Sequence, residues 1–380
     1  MNRRTMLAGS AALAAAALGP RMTFARAGGN KRLLLLVMRG ATDGLALAAP
    51  LADPAFRAAR AKWMDTYAAA PKLDGTFSLH PALAETARLY GTGDALLVHA
   101  VATSYRDRSH FDAQNLLETG GAKPFERRDG FLNRFIGLLD GSQSPAIALA
   151  LALPLALRGS NPASTYAPTT LPKASEALLE RLPDLYSGDP QLAGLWQQAN
   201  QTEAIAGASD MNSLKRAEDA GTLAARMLSE PEGARIVMLD LPGWDTHANQ
   251  LVMLQRRFAQ FDGLIAAFRK NIGEVWDDTL VLVVTEFGRT VGINGTNGTD
   301  HGTGSAAVLM GGAVKGGRVL ADWPGLASAQ LFEGRDLKPT MSLEALTSGA
   351  LADHFGLDAD KVMSTLYPGR PDSPVGGLLA

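Results

Sequence analysis

Apolar residues come along this chain in two kinds of run. Short unbroken ones, at residues 31–38, 95–101, 235–241, 279–285 and 306–310, have the pattern of strands buried on both faces, as in a parallel sheet covered by helices. The second kind is periodic: Leu251, Leu254, Phe258, Phe261, Ile265 and Phe268 recur at steps of three and four, the stripe of a helix that lies on a sheet. Residues 235–285 therefore read as strand, helix, strand, a right-handed parallel crossover that sets two strand ends at one sheet edge. Residues 146–153 alternate alanine with larger apolar residues in the manner of a further strand. A helix at 80–90 opens with Pro81 in its first turn, and residues 173–230 read as several helices divided at 187–190 and 206–209. The class is α/β.

Titratable residues are concentrated where these strands end. The run at 235–241 breaks at Pro242 and Gly243 and delivers Asp245 and His247 side by side, the pairing a metal site needs. The run at 279–285 ends on Glu286, followed by Phe287 and Arg289. A glycine-rich loop then leads through Asp300 and His301 into the run at 306–310; His301 is read as a ligand or as a partner of a loop carbonyl. After the first run, Gly40 and Gly44 flank Thr42 and Asp43, so that Asp43 is held against a ligand or forms an Asx turn or helix cap. After the run at 95–101, Ser109 is placed to cap a helix, at a terminus whose free N–H groups favour an anion. Arg106, Arg108, His110 and Asp112 accompany it. His80 is read as structural and His354 as a surface or capping residue. Ligands of open α/β sheets bind at the carboxyl ends of strands, so the pattern points to a ligand site or an enzyme.

Composition narrows the chemistry. There is no cysteine, which excludes disulfides, thiolate ligands and a cysteine nucleophile and leaves oxygen and nitrogen donors. The charge of −2, from 36 basic and 38 acidic residues with no basic stripe, excludes nucleic acid as the expected partner. At the amino end, Arg3 and Arg4 precede an alanine-rich apolar segment, and Ala25, Arg26 and Ala27 supply a cleavage site. Residues 1–27 are thus expected to be a twin-arginine signal peptide, read by the Tat export machinery, with a periplasmic or secreted product. No run is long enough to be an integral membrane span. A single domain over residues 28–380, with a helical insertion at about 155–230, is expected to follow.

Taken together, the twin-arginine head, the Arg39-Gly-Ala-Thr-Asp-Gly and Ser109-His-Phe-Asp-Ala-Gln stretches, Gly243-Trp-Asp-Thr-His-Ala-Asn-Gln, Thr285-Glu-Phe-Gly-Arg-Thr and Gly298-Thr-Asp-His-Gly resemble a known family. It is the group of exported bacterial proteins called domain of unknown function 1501, placed in the alkaline phosphatase and sulfatase superfamily. The resemblance implies an alkaline phosphatase-like fold, a mostly parallel central sheet with helices on both faces, and hydrolysis of phosphate or sulfate esters over metal ions. It gives Asp43 the role of the first metal-bridging acid and Ser109 that of the nucleophile, with Thr42 as rival. Asp245, His247 and His301 become ligands of one metal, joined by Asp300. Glu286 stands for the aspartate of an aspartate-histidine pair whose histidine is replaced by Phe287, which leaves the second metal open. His110 and Arg289 join Ser109 as candidate catalytic residues, and Arg106, Arg108 or Arg289 would clamp a small anionic ester. One or two divalent ions are expected: zinc suits a nitrogen-rich set, and manganese, magnesium or calcium an oxygen-rich one. The alternative is a non-catalytic exported binding or assembly protein on the same fold, favoured by Phe287.

Overall fold

The computed structural model describes residues 30–139, 146–168, 176–206, 216–231 and 233–380. The expected signal peptide lies outside the described residues. Nine strands form one sheet: β1 (Arg32–Arg39), β2 (Ala95–Ala102), β3 (Ala146–Leu149), β4 (Ala163–Tyr166), β5 (Ile236–Pro242), β6 (Thr279–Val284), β7 (Ser305–Met310), β8 (Arg318–Leu320) and β9 (Met341–Ser342). Their order is β8-β2-β7-β6-β1-β5-β3-β4, with β9 beside β2. Every pairing is parallel except those of β7, which runs antiparallel to β2 and β6.

The unbroken apolar runs have a direct cause. In β1, Leu34, Leu36 and Met38 enter one core with the helices Ala84–Thr92, Ala217–Ser229 and Gln250–Ile272. Leu33, Leu35 and Val37 enter a second core with Phe131–Ile136, Leu343–Phe355 and Ala359–Leu366. Side chains alternate across a strand, so a strand covered on both faces must be apolar at every position, each burial contributing about 1.5–3 kcal/mol. The fold is thus α/β, a mostly parallel sheet with helices on both faces, as expected.

Register decides where the site forms. β1 is flanked by β5 on one side and β6 on the other, with Arg39 opposite Pro242 and Val37 opposite Val284. The crossover strands are therefore near-neighbours with β1 between them, and three carboxyl ends lie level. Because β7 is antiparallel, its first residue, Ser305, pairs with Val101 near the carboxyl end of β2. The loop that enters β7 consequently arrives at the edge where β1, β2, β5 and β6 finish.

Several local expectations are corrected. The helix expected from Pro81 begins at Ala84, where the N–H groups of Glu85 and Thr86 donate to the Asp262 carboxylate at 2.7 and 2.9 Å. The stretch expected as a helical insertion contains β4, which belongs to the sheet, and Ala217–Ser229, which belongs to the core. Between them lie the helices Glu176–Tyr186 and Pro190–Ala206, whose Leu185 and Leu195 are exposed. His354 neither lies at the surface nor caps a helix: it is buried, with Nε2 2.8 Å from the Arg32 carbonyl oxygen, because its helix packs its whole length against the sheet. Among the described residues no helix is long and apolar enough to cross a membrane.

Candidate metal centre

Three loops meet at the carboxyl edge. The first follows β5, where Gly243, at φ +94°, turns the chain and Trp244 is buried beneath it. Two glycines grip this loop. Gly40, at φ +116°, lies so close that a Cβ there would stand 2.6 Å from the Asp245 amide nitrogen, and a Cβ on Gly298 would stand 2.2 Å from the His247 carbonyl carbon. Only glycine permits both the approach and, at Gly40, the backbone angle. The second loop ends at Ser109, which caps the helix His110–Thr119 by accepting from the Asp112 N–H, and so makes His110 the first helical residue. The third joins β6 to β7, carrying Glu286 and Arg289 near its start and bringing Asp300 and His301 to β7 at its end.

There the side chains converge. His301 Nε2 lies 3.0 Å from His110 Nε2, 3.0 Å from His247 Nε2 and 3.2 Å from Asp245 Oδ1. Asp245 Oδ1 is 3.0 Å from His247 Nε2, and Asp245 Oδ2 is 3.5 Å from His110 Nε2. One atom each from His110, Asp245 and His301 falls within 4.8 Å of the others, and the His247 nitrogen adds a fourth donor beside two of them.

The opposite nitrogen of every ring settles the tautomers. His110 Nδ1 faces Glu286 Oε1 at 2.9 Å, His247 Nδ1 faces Asp300 Oδ1 at 3.2 Å, and His301 Nδ1 faces the Arg108 carbonyl oxygen at 3.0 Å. Each partner can only accept, so each Nδ1 carries a proton, and a ring in its neutral form turns an Nε2 lone pair inward. Three lone pairs and a carboxylate thus face one another with no donor among them. Protons are a poor remedy for all three rings: the hydrogen bond to Glu286 raises the His110 pKa, but burial, and after it a proton on His110 and the Arg289 guanidinium, lower that of His301. A cation would satisfy the inward atoms of His110, Asp245 and His301, with His247 beside two of them. Three nitrogens, one carboxylate oxygen and no thiolate form a set that fits zinc, so the residues present fit the metal that the resemblance implies.

A supporting shell holds this arrangement. Glu286, fully buried, accepts from the Gly40 N–H at 2.8 Å, Gln114 Nε2 at 3.0 Å and the Thr285 hydroxyl at 3.1 Å. Burial works to raise its pKa, yet the bonds from His110, Gln114 and the backbone bring it below the ordinary glutamate range. Asp300 accepts from Asn294 Nδ2 at 3.1 Å, and this bond, against burial and together with His247, lowers its pKa. For Asp245, burial acts to raise the pKa, and the Arg289 guanidinium, donating at 2.7 Å, overcomes it. Phe287 stacks on His110 with ring centroids 4.9 Å apart and leans on His301 at 5.2 Å, a hydrophobic wall where the resemblance called for a histidine.

Not every expected residue stands where the sequence suggested. Asp43 is at the right edge but outside the cluster: fully buried, it receives both Arg60 nitrogens at 2.6 and 3.2 Å and caps the short helix Gly44–Leu47. Its oxygens are engaged there by Arg60, by Gln250 and by the helix that it caps. Glu286 and Asp300 orient histidines from behind. Arg289 is buried behind Asp245, whose carboxylate it holds, and is bound on its other side to Thr299. Arg106 donates to the Thr103 and Tyr105 carbonyl oxygens, and Arg108 pairs with Glu333 and Asp336. Thr42 is buried away from solvent. His110, taken from the sequence as a catalytic group, turns its Nε2 into the cluster, 3.0 Å from that of His301. Its signal was present in its place after a strand that ends at this edge, but only the antiparallel β7 brings His301 to meet it.

A protein-family model described as a protein of unknown function, DUF1501, matches residues 30–366. No curated protein matches the chain. Among solved structures, the C-terminal periplasmic domain of EcEptC from Escherichia coli matches at 11% identity and TM-score 0.44, covering 92% of this chain and 90% of its own; its complex with zinc matches too. A protein in the alkaline phosphatase superfamily from Vibrio parahaemolyticus matches at 10% identity and TM-score 0.38, over 84% and 71% of the two chains. Alkaline phosphatase from the Antarctic bacterium TAB5 matches at 12% identity and TM-score 0.36, over 74% and 91%.

Proposed function

The chain belongs to the DUF1501 family, whose description states no function, and from the site itself we propose that it is a metal-dependent hydrolase of phosphate or sulfate esters. His110, Asp245, His247 and His301 hold one divalent ion. The observation that carries this reading is the set of three inward Nε2 lone pairs facing one carboxylate, each ring fixed by an acceptor on its far nitrogen. Nitrogen-rich donors favour zinc over manganese, magnesium or calcium. A single ion is supported by the engagement of the remaining acids: Asp43 with Arg60, Glu286 with His110, Gly40 and Gln114.

When bound, the ion supplies Lewis-acid chemistry, lowering the pKa of an attacking oxygen and polarising the ester. The protein supplies the rest. Arg289 fixes the Asp245 carboxylate, Glu286 fixes the His110 ring, and the Asp245 and His247 side chains, 43% and 45% exposed, leave the centre open to solvent. Ser109 precedes His110 at a helix N-terminus, where free N–H groups favour an anion. In this reading its hydroxyl oxygen bonds to phosphorus or sulfur, its proton passes to the departing alcohol, and water then cleaves the seryl ester to restore the serine. Tat export through residues 1–27 would place this chemistry in the periplasm or outside the cell.

One observation favours a second reading, an exported metal-binding or assembly protein without catalysis. Arg106, Arg108 and Arg289 each donate to acceptors of the protein itself, so none of the three stands wholly free to grip the oxygens of an anionic ester. Elemental analysis paired with assays on aryl phosphates and sulfates separates the two. Hydrolysis by protein carrying about one zinc per chain supports the enzyme; full loading with no turnover across the panel supports the binding protein.

A further inference from the structure

The buried polar residues beneath the centre form a single chain of hydrogen bonds with a fixed direction. It begins at Arg60, whose guanidinium donates to Asp43 at 2.6 and 3.2 Å and to the Thr290 and Val291 carbonyl oxygens at 2.9 and 3.0 Å. Gln250 Nε2 donates at 2.5 Å to Asp43 Oδ2, the oxygen that also accepts the shorter Arg60 bond. Gln250 Oε1 in turn accepts from the Thr246 hydroxyl at 2.9 Å and the Thr299 hydroxyl at 2.6 Å. Thr299 Oγ1 accepts from Arg289 Nε at 3.1 Å, and Arg289 Nη1 donates to Asp245 Oδ1 at 2.7 Å.

Each link can run only one way. A carboxylate only accepts, so the Gln250 amide must turn its nitrogen to Asp43 and its oxygen to the two hydroxyls. Thr299 must then give its proton to Gln250 and offer its lone pair to Arg289. Arg60, Asp43, Gln250, Thr246 and Thr299 are all fully buried and Arg289 is 1% exposed, whereas Asp245 at the far end is open to solvent. A half-exposed carboxylate is free to rotate unless something rigid holds it. Here the rigidity comes from a satisfied network, in which every member specifies the orientation of the next.

Resting on the single-ion reading above, we propose that Gln250 is a positioning residue for the metal centre: it links the buried Arg60–Asp43 ion pair, through Thr299 and Arg289, to the orientation of the ligand Asp245. Asp43 thereby serves the metal from a distance, although it does not bind it. Outer partners of this kind typically change metal affinity by about 10–100-fold when removed.

The test measures zinc affinity by competition with a chromophoric chelator, together with thermal unfolding of the zinc-free protein. Gln250→Leu and Thr299→Val are each expected to weaken zinc by about tenfold. In an Asp245→Ala background, where the ligand they orient is gone, the same substitutions should leave the residual affinity of the three histidines unchanged. An unchanged affinity in the wild-type background overturns the proposal, and so does an equal loss in both backgrounds, which marks a general structural role. If Gln250→Leu does not fold, Thr299→Val decides alone, because it removes one hydroxyl and keeps the shape of the side chain. Failure of the wild type to bind zinc ends both this proposal and the reading it rests on, whereas zinc binding undisturbed by either variant ends this one only.

Discussion

Glu286 Oε1 stands 2.9 Å from His110 Nδ1, joining the end of β6 to the first residue of a helix that follows β2, 176 positions earlier in the chain. The contact fixes the imidazole tautomer and strengthens the ring as a donor, the role that carboxylates play behind metal-bound histidines. Glu286→Gln keeps the size of the group and removes its charge. Zinc affinity is expected to fall by about tenfold, with the fold intact by circular dichroism. An affinity equal to the wild type would show that the pair is only a packing contact.

Gly40 is held by two constraints, a φ of +116° and the approach of the Asp245 amide nitrogen to 2.6 Å of where a Cβ would be. Gly40→Ala is expected to cost about 1–3 kcal/mol of stability and to displace the loop that carries Asp245 and His247. Denaturant unfolding and metal content report the two effects separately. Loss of neither would mean that the loop adjusts without strain.

Ser109 has two roles that one variant separates. As a cap it contributes about 1 kcal/mol, and as the proposed nucleophile it is needed for turnover. Ser109→Ala should therefore melt slightly earlier, keep its metal and lose hydrolysis altogether. Retained hydrolysis would leave Ser109 with the cap alone.

Acid should unfold the metal-free protein through three histidines remote from the centre. Burial pushes His80, His99 and His354 each down to about 4 from the ordinary value of 6.5. Below pH 6.5 the unfolded chain takes up protons that the folded one refuses, so stability present at neutral pH is lost as pH falls, until the folded rings also titrate near pH 4. Each group contributes a slope of about 1.4 kcal/mol per pH unit in that window. Urea unfolding at pH 7 and pH 5 in the presence of chelator measures the loss; equal stability at both would contradict this burial.

Much of the sheet was legible because its runs obey simple rules. The apolar stretches at β1, β5 and β6 and the stripe from Leu251 to Phe268 follow from burial on both faces and on one, and strand ends drew attention to Asp245, His247 and His301. What escaped depends on partners far away in sequence. Nothing in the pattern around Asp43 reveals Arg60, which ends the helix Pro54–Ala59 and takes both carboxylate oxygens. Nothing near Arg289 shows that it lies beneath Asp245. The role of His110 requires the antiparallel insertion of β7 between β2 and β6, a topological fact that hydrophobic periodicity does not encode.

The central claim is one ion held by three imidazoles and a carboxylate, and the X-ray absorption spectrum of the zinc-loaded protein tests it most directly. The predicted result is a first shell of nitrogen and oxygen at about 2.0–2.2 Å, with outer-shell scattering from three imidazole rings that drops to two in His110→Ala. A shell of oxygen alone, or a ring count that His110→Ala leaves unchanged, would contradict it.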